Sequence, residues 1–141
     1  MYKIVSVLIT LNIACLCYSM EYIRRELSVK NRTRIDDFTE KAKLSDVHEK
    51  ISNCRSVASN ENIVNVLLAV ERMNMYFCES YLNGVLIDDD DDDEVIVYNE
   101  NKRILDKSIY DLARLYHDQK GELDLSEEIK GRLRTLGVVV E

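Results

Sequence analysis

Ser59-Asn60-Glu61-Asn62-Ile63-Val64-Asn65-Val66-Leu67-Leu68-Ala69-Val70-Glu71-Arg72-Met73-Asn74-Met75-Tyr76-Phe77-Cys78-Glu79-Ser80-Tyr81-Leu82-Asn83-Gly84 is the stretch that decides the fold. Ile63, Leu67, Val70, Phe77 and Tyr81 recur at helical spacing and make one stripe, interrupted only by Asn74. Val64, Leu68, Met75, Cys78 and Leu82 widen the apolar surface, and a helix apolar over this much of its circumference belongs at the centre of a core. Ser59 or Asn60 starts it. Asn83-Gly84 ends it, with Gly84 supplying the left-handed residue past the last turn. Met73 and Met75 read as core filler rather than as a cofactor box.

Weaker helices flank this one. Upstream, Ile35, Phe38 and Ala42 follow at spacings of three and four, and Asn31 to Thr33 divide the charged segment 20–42 into two helices. Ser45 is a good N-cap for a further helix with Val47, Ile51 and Cys54 on one stripe. Downstream, Asn99 caps a helix carrying Leu105, Ile109, Leu112 and Tyr116, closed by Gly121. Ser126 caps a last helix with Ile129, Leu133 and Leu136, closed by Gly137. Between the central helix and Asn99 stand Val85-Leu86-Ile87, an acidic run, and Val95-Ile96-Val97-Tyr98. These β-branched runs fit a hairpin over 85–98 with an acidic tip, to which Val138-Val139-Val140 adds a third strand. They fit equally an acidic loop between two helices. The absence of proline and the presence of only four glycines suit helices better than a turn-rich β fold. The expected fold is mainly α: a compact bundle of four to five amphipathic helices around the central apolar helix 60–83.

The amino-terminal stretch reads as a leader. Met1-Tyr2-Lys3 is followed by an apolar run from Ile4 to Leu16 and by Cys17-Tyr18-Ser19, which is the order charge, apolar core, small-x-small. Cleavage after Ser19 divides the chain into a signal peptide, 1–19, and one helical domain, 20–141, with an acidic loop at 88–94. The apolar run is shorter than the roughly 20 residues a spanning helix needs, so the mature form has no membrane span. Removing residues 1–19 takes away Lys3 alone among the charged residues and leaves 18 basic against 26 acidic side chains, a net charge of −8. Such a chain repels phosphate backbones and anionic lipid, which excludes nucleic acid and favours a protein partner with a basic patch. Asp88, Asp89, Asp90, Asp91, Asp92, Asp93 and Glu94 are the candidate partner-binding residues. Asn31-Arg32-Thr33 is a glycosylation sequon in a polar setting, with Asn31 as the acceptor.

The catalytic inventory yields nothing positive. His48 and His117 have no metal-ligand spacing, and the acidic run lacks the glycine and the alternating ligands of a calcium loop. Neither Gly-x-Ser-x-Gly nor a phosphate-cradling glycine loop occurs, so no metal, cofactor or catalytic residue is assigned and the chain does not read as an enzyme. Cys54 and Cys78 remain after cleavage and are the candidate disulfide pair of an oxidising compartment. If the segments bearing them form a simple antiparallel hairpin turning near Ser59, they sit about 20 Å apart along the axis at 1.5 Å per residue. A disulfide needs Cα atoms within about 7 Å, so the bond and that hairpin exclude each other.

The leader, with Met1-Tyr2-Lys3 and Cys17-Tyr18-Ser19-Met20-Glu21-Tyr22, resembles those of small secreted orthopoxvirus proteins. A composition rich in Asp, Asn, Ile and Tyr without Pro or Trp agrees. The resemblance covers about the first twenty-two residues and carries over no functional residue. Poxviral Bcl-2-like proteins are also small and helical, but they look cytosolic, and the leader speaks against them. What the resemblance implies is a secreted viral modulator of a host ligand or receptor. The alternative is a protein of the endoplasmic-reticulum lumen acting on folding or trafficking; the ending Val138-Val139-Val140-Glu141 has no Lys-Asp-Glu-Leu signal, so retention there would require a partner. A small enzyme is the third and weakest reading.

Overall fold

The computed structural model describes residues 28–81 and 92–141. The chain divides into two compact units, Met1–Arg34 and Ile35–Glu141. Of the first, residues 28–34 are described, and they begin a helix. The expected leader, 1–19, lies outside the described residues, as do the expected helix stop at Asn83-Gly84 and the run Val85-Leu86-Ile87.

Five helices follow one another: α1 Val29–Lys41, α2 Leu44–Ser56, α3 Asn60–Tyr81, α4 Asp92–Gln119 and α5 Glu127–Thr135, with a single 3-10 turn, Lys120–Glu122, between the last two. The mainly α bundle is what the apolar periodicity calls for. No strand occurs among the described residues.

α1 starts at Ser28, whose hydroxyl accepts from the Asn31 N–H at 3.3 Å. Asn31 to Thr33 do not split it. They lie in its first turns, where Thr33 Oγ1 donates to the Val29 carbonyl instead of breaking the helix. Lys43 turns the chain into α2 with φ 53° and ψ 51°, and no side chain caps that helix. The expected cap, Ser45, falls inside α2 because the left-handed residue lets the helix restart at Leu44. α3 is capped by Ser59, whose hydroxyl accepts from Asn62 N–H at 3.1 Å.

α4 departs most from expectation. It starts at Asp92, seven residues before Asn99, and Val95-Ile96-Val97-Tyr98 is helical rather than the second arm of a hairpin. Val97, Asn101, Leu105, Ser108, Leu112, Leu115 and Tyr116 are its buried positions, at steps of three and four with one i+1 neighbour. Two polar members, Asn101 and Ser108, mask that stripe in the sequence. The start is favoured electrostatically, since Asp93 and Glu94 place negative charge at the positive end of the helix dipole.

α5 starts at Ser126, whose hydroxyl accepts from Ile129 N–H at 3.3 Å. It ends as the glycine predicts. Gly137 has φ 95°, Val138 N–H bonds the Leu133 carbonyl at 3.0 Å and Gly137 N–H that of Arg134 at 2.9 Å. This is a Schellman closure, with Leu133 and Val138 both buried across it. Val138 to Val140 therefore complete a helix stop and join no sheet.

α3 packs against both α2 and α4, and α2 also touches α4. The short link 57–59 makes α2 and α3 antiparallel. Asn60 meets Asp124 while Tyr81 meets Asn101, so α3 and α4 are antiparallel too. Ile63, Val66, Leu67, Ala69, Val70, Met73 and Phe77 are the buried face of α3. Two expected core members are instead on the surface: Leu68 is 47% and Met75 57% exposed. The helix is buried on one side and not around its circumference.

Candidate functional site

A groove of about 440 Å³ opens between the end of α2 and the last turns of α4, lined by Arg55, Asp111, Arg114, Leu115, Asp118 and Gln119. Asp111, Arg114, Leu115 and Asp118 are three or four apart, or adjacent, and so share one face of α4. Leu115 is buried and forms the apolar floor. Arg55 stands in the last turn of α2, where a cation complements the helix carboxyl end.

The wall behind the groove is a reciprocal clasp. Gln119 Nε2 donates to the Cys54 carbonyl at 2.7 Å, and the Cys54 thiol donates to Gln119 Oε1 at 3.3 Å. Burial pushes the Cys54 thiol above its ordinary value, so it stays protonated and is no nucleophile. At the rim, Asp111 holds Lys107 at 3.4 Å. Arg55, Arg114 and Asp118 make no ion pair within 4 Å among the described residues. The groove thus presents two guanidiniums and two carboxylates, one of them paired with Lys107, above an apolar floor. That set can hold a polar chain segment by charge-assisted hydrogen bonds.

The candidate residues named from the sequence are distributed elsewhere. Of the acidic run, Asp88 to Asp91 lie outside the described residues, and Asp92 to Glu94 form the first turn of α4. From Asp93 to Asp118 is 25 residues, roughly 37 Å along a helix, so the run and the groove are separate features. Asn31 lies in α1 with 2% of its surface exposed. Cys54 and Cys78 are both free thiols, the former buried, the latter half-buried. No group of three or more His, Cys, Asp or Glu placed to hold a metal ion occurs among the described residues, and no helix among them is long and apolar enough to cross a membrane.

Sequence reasoning missed Arg55, Arg114 and Asp118. Their one signal was the polar row 111-114-118 on α4. Its partner on α2 follows only once Cys54 and Gln119 are known to meet, 65 residues apart in the chain. Comparison with known proteins finds no matching family model, no similar curated protein and no similar solved structure.

Proposed function

We propose that this chain is a secreted, non-enzymatic protein-binding module whose partner carries a basic patch. The observation that carries the reading is the charge distribution: seven consecutive carboxylates, Asp88 to Glu94, on a mature chain of net charge −8. Seven close carboxylates concentrate negative charge in one short segment. From there they attract a basic partner over a Debye length of about 8 Å at physiological ionic strength and raise the association rate. The leader pattern supports export, and its resemblance to orthopoxviral leaders makes a host ligand or receptor the class of partner.

Two measurements test this. Mass spectrometry of medium from expressing cells is expected to find a chain beginning at Met20. An intact leader on protein confined to the cytosol overturns the proposal. Affinity capture of host surface and serum proteins is expected to return a basic partner whose association rate falls as salt is raised; a partner indifferent to salt removes the acidic run from the mechanism.

A further inference from the structure

Six arginines lie in the unit 35–141. Arg103, Arg132 and Arg134 are paired with carboxylates. Arg55, Arg72 and Arg114 make no ion pair among the described residues, and two of these three line the one groove between α2 and α4. The charges in that groove do not cancel. Lys107 neutralises Asp111, which leaves two guanidiniums against the single carboxylate of Asp118. The groove therefore keeps a positive charge on a chain whose net charge is −7. Its walls are also set in advance. Arg55 follows Cys54 in the chain and Asp118 precedes Gln119, and Cys54 and Gln119 hold each other through two hydrogen bonds. A site with fixed walls loses less freedom on binding than one that must first be ordered.

We propose that this groove binds an acidic peptide segment of a partner protein, with one Asp or Glu side chain against Arg55 and Arg114 and a neighbouring apolar side chain on Leu115. A guanidinium presents paired N–H donors that match the two oxygens of a carboxylate. Asp118 favours a carboxylate over a phosphate. One residual positive charge balances a singly charged group, whereas a doubly charged one meets repulsion from Asp118. Tyr110 favours a peptide over a small carboxylic acid. It stands one turn before Arg114 on the same face of α4, roughly 6 Å along the axis. It is not part of the groove lining, and it is 64% exposed. Tyrosine and arginine are the residue types that carry most of the binding energy in protein interfaces. A chain running through the groove continues onto Tyr110, whereas a small acid ends inside it. This surface is separate from the acidic run, and its test leaves the reading based on that run untouched.

The test is two-dimensional NMR of the nitrogen-15-labelled full chain, titrated with the blocked peptide N-acetyl-Gly-Leu-Glu-Leu-Gly-amide. Saturable shifts are expected at the backbone and side-chain N–H groups of Arg55 and Arg114, with a dissociation constant on the order of millimolar or tighter. A probe with Gln in place of Glu binds about tenfold more weakly, because the charge assistance is gone. Arg55→Gln and Arg114→Gln each weaken the Glu probe by about the same factor. Circular dichroism stays unchanged in both, since the two side chains are exposed. Arg114→Lys keeps the charge but loses the fork and weakens binding about threefold or more. Tyr110→Ala weakens the peptide about threefold or more, and acetate alone binds about tenfold more weakly than the peptide because it reaches neither Leu115 nor Tyr110. Each of five results overturns the proposal: no saturable shift at the two arginines, a Gln probe as tight as the Glu probe, a phosphoserine probe tighter than either, acetate as tight as the peptide, or folded arginine variants that bind like the parent.

Discussion

Cys54 shows what one buried side chain costs and supplies. It has no exposed surface, and its thiol and carbonyl are both held by Gln119. Replacing Gln119 with Ala orphans a buried carbonyl and is expected to lower unfolding stability by about 1–3 kcal/mol, read from urea melts. Burial keeps the thiol protonated in the folded state, whereas in the unfolded chain it ionises near its ordinary value of 9.0. Above that pH the unfolded state has released a proton that the folded state keeps. Stability therefore falls as pH rises beyond the unfolded thiol's pKa, and Cys54→Ala should remove that part of the alkaline slope. An unchanged slope in the variant would show that other groups carry it. The same contrast is chemical: an alkylating agent is expected to label half-buried Cys78 before Cys54, as peptide mapping would show.

At the scale of the element, the helix ends are set by backbone conformation. Gly137 sits at φ 95° with open space around its Cα, so a Cβ there clashes with nothing but strains the backbone. Gly137→Ala is expected to cost about 1 kcal/mol. Gly131, inside α5 and equally open, should respond the other way: Gly131→Ala gains up to about 1 kcal/mol of helix propensity. Lys43, left-handed without being glycine, should gain about as much on Lys43→Gly, by relief of the same strain. Thermal melts of the three variants give the signs, and a stabilising Gly137→Ala would refute the closure described for α5. The start of α4 is read the same way. Exchanging Asp88 to Asp91 for Gly and Ser should leave the far-UV helix signal intact. Extending the exchange through Asp92, Asp93 and Glu94 should shorten α4 by about a turn and cost about 0.3–1 kcal/mol per charge at the helix amino end.

In the unit 35–141, α3 is held between α2 and α4 by a continuous apolar cluster running from Phe38 to Val138. Phe77 joins its far end to α1 and α4 through ring contacts with Phe38 at 6.2 Å and Tyr98 at 5.4 Å. Away from this cluster, long-range polar ties pin the carboxyl-terminal third. Asn60 exchanges two bonds with the Asp124 backbone, at 3.0 and 2.9 Å, and Glu71 takes both arms of Arg132. Leu112 is fully buried, so Leu112→Ala is expected to cost about 2–5 kcal/mol. That is a large fraction of the roughly 5–15 kcal/mol a domain has, and loss of a cooperative transition, or a midpoint far lower, would register it. A wild-type-like midpoint would place Leu112 outside the core. Surface ion pairs such as Asp37–Lys41 and Lys102–Asp106 should add almost nothing, because both partners stay hydrated.

By itself the sequence determined the helical class, the apolar faces of α2 and α5, and the caps at Ser59, Ser126 and Gly137. These follow from periodicity and from local backbone preference, which act within a few residues. It did not determine that Val95 to Tyr98 is helical. That run has strand-like side chains, and only the packing of Val97, Asn101 and Leu105 as one α4 stripe overrides them. Nor did it distinguish the two faces of α3: Leu67 and Leu68 are the same residue, and only the positions of α2 and α4 bury one and leave the other in water. The groove is a still later product, since Arg55 and Asp118 stand 63 residues apart in the chain. Charge and periodicity are properties of segments, whereas a site between segments exists only after the core has chosen which segments meet.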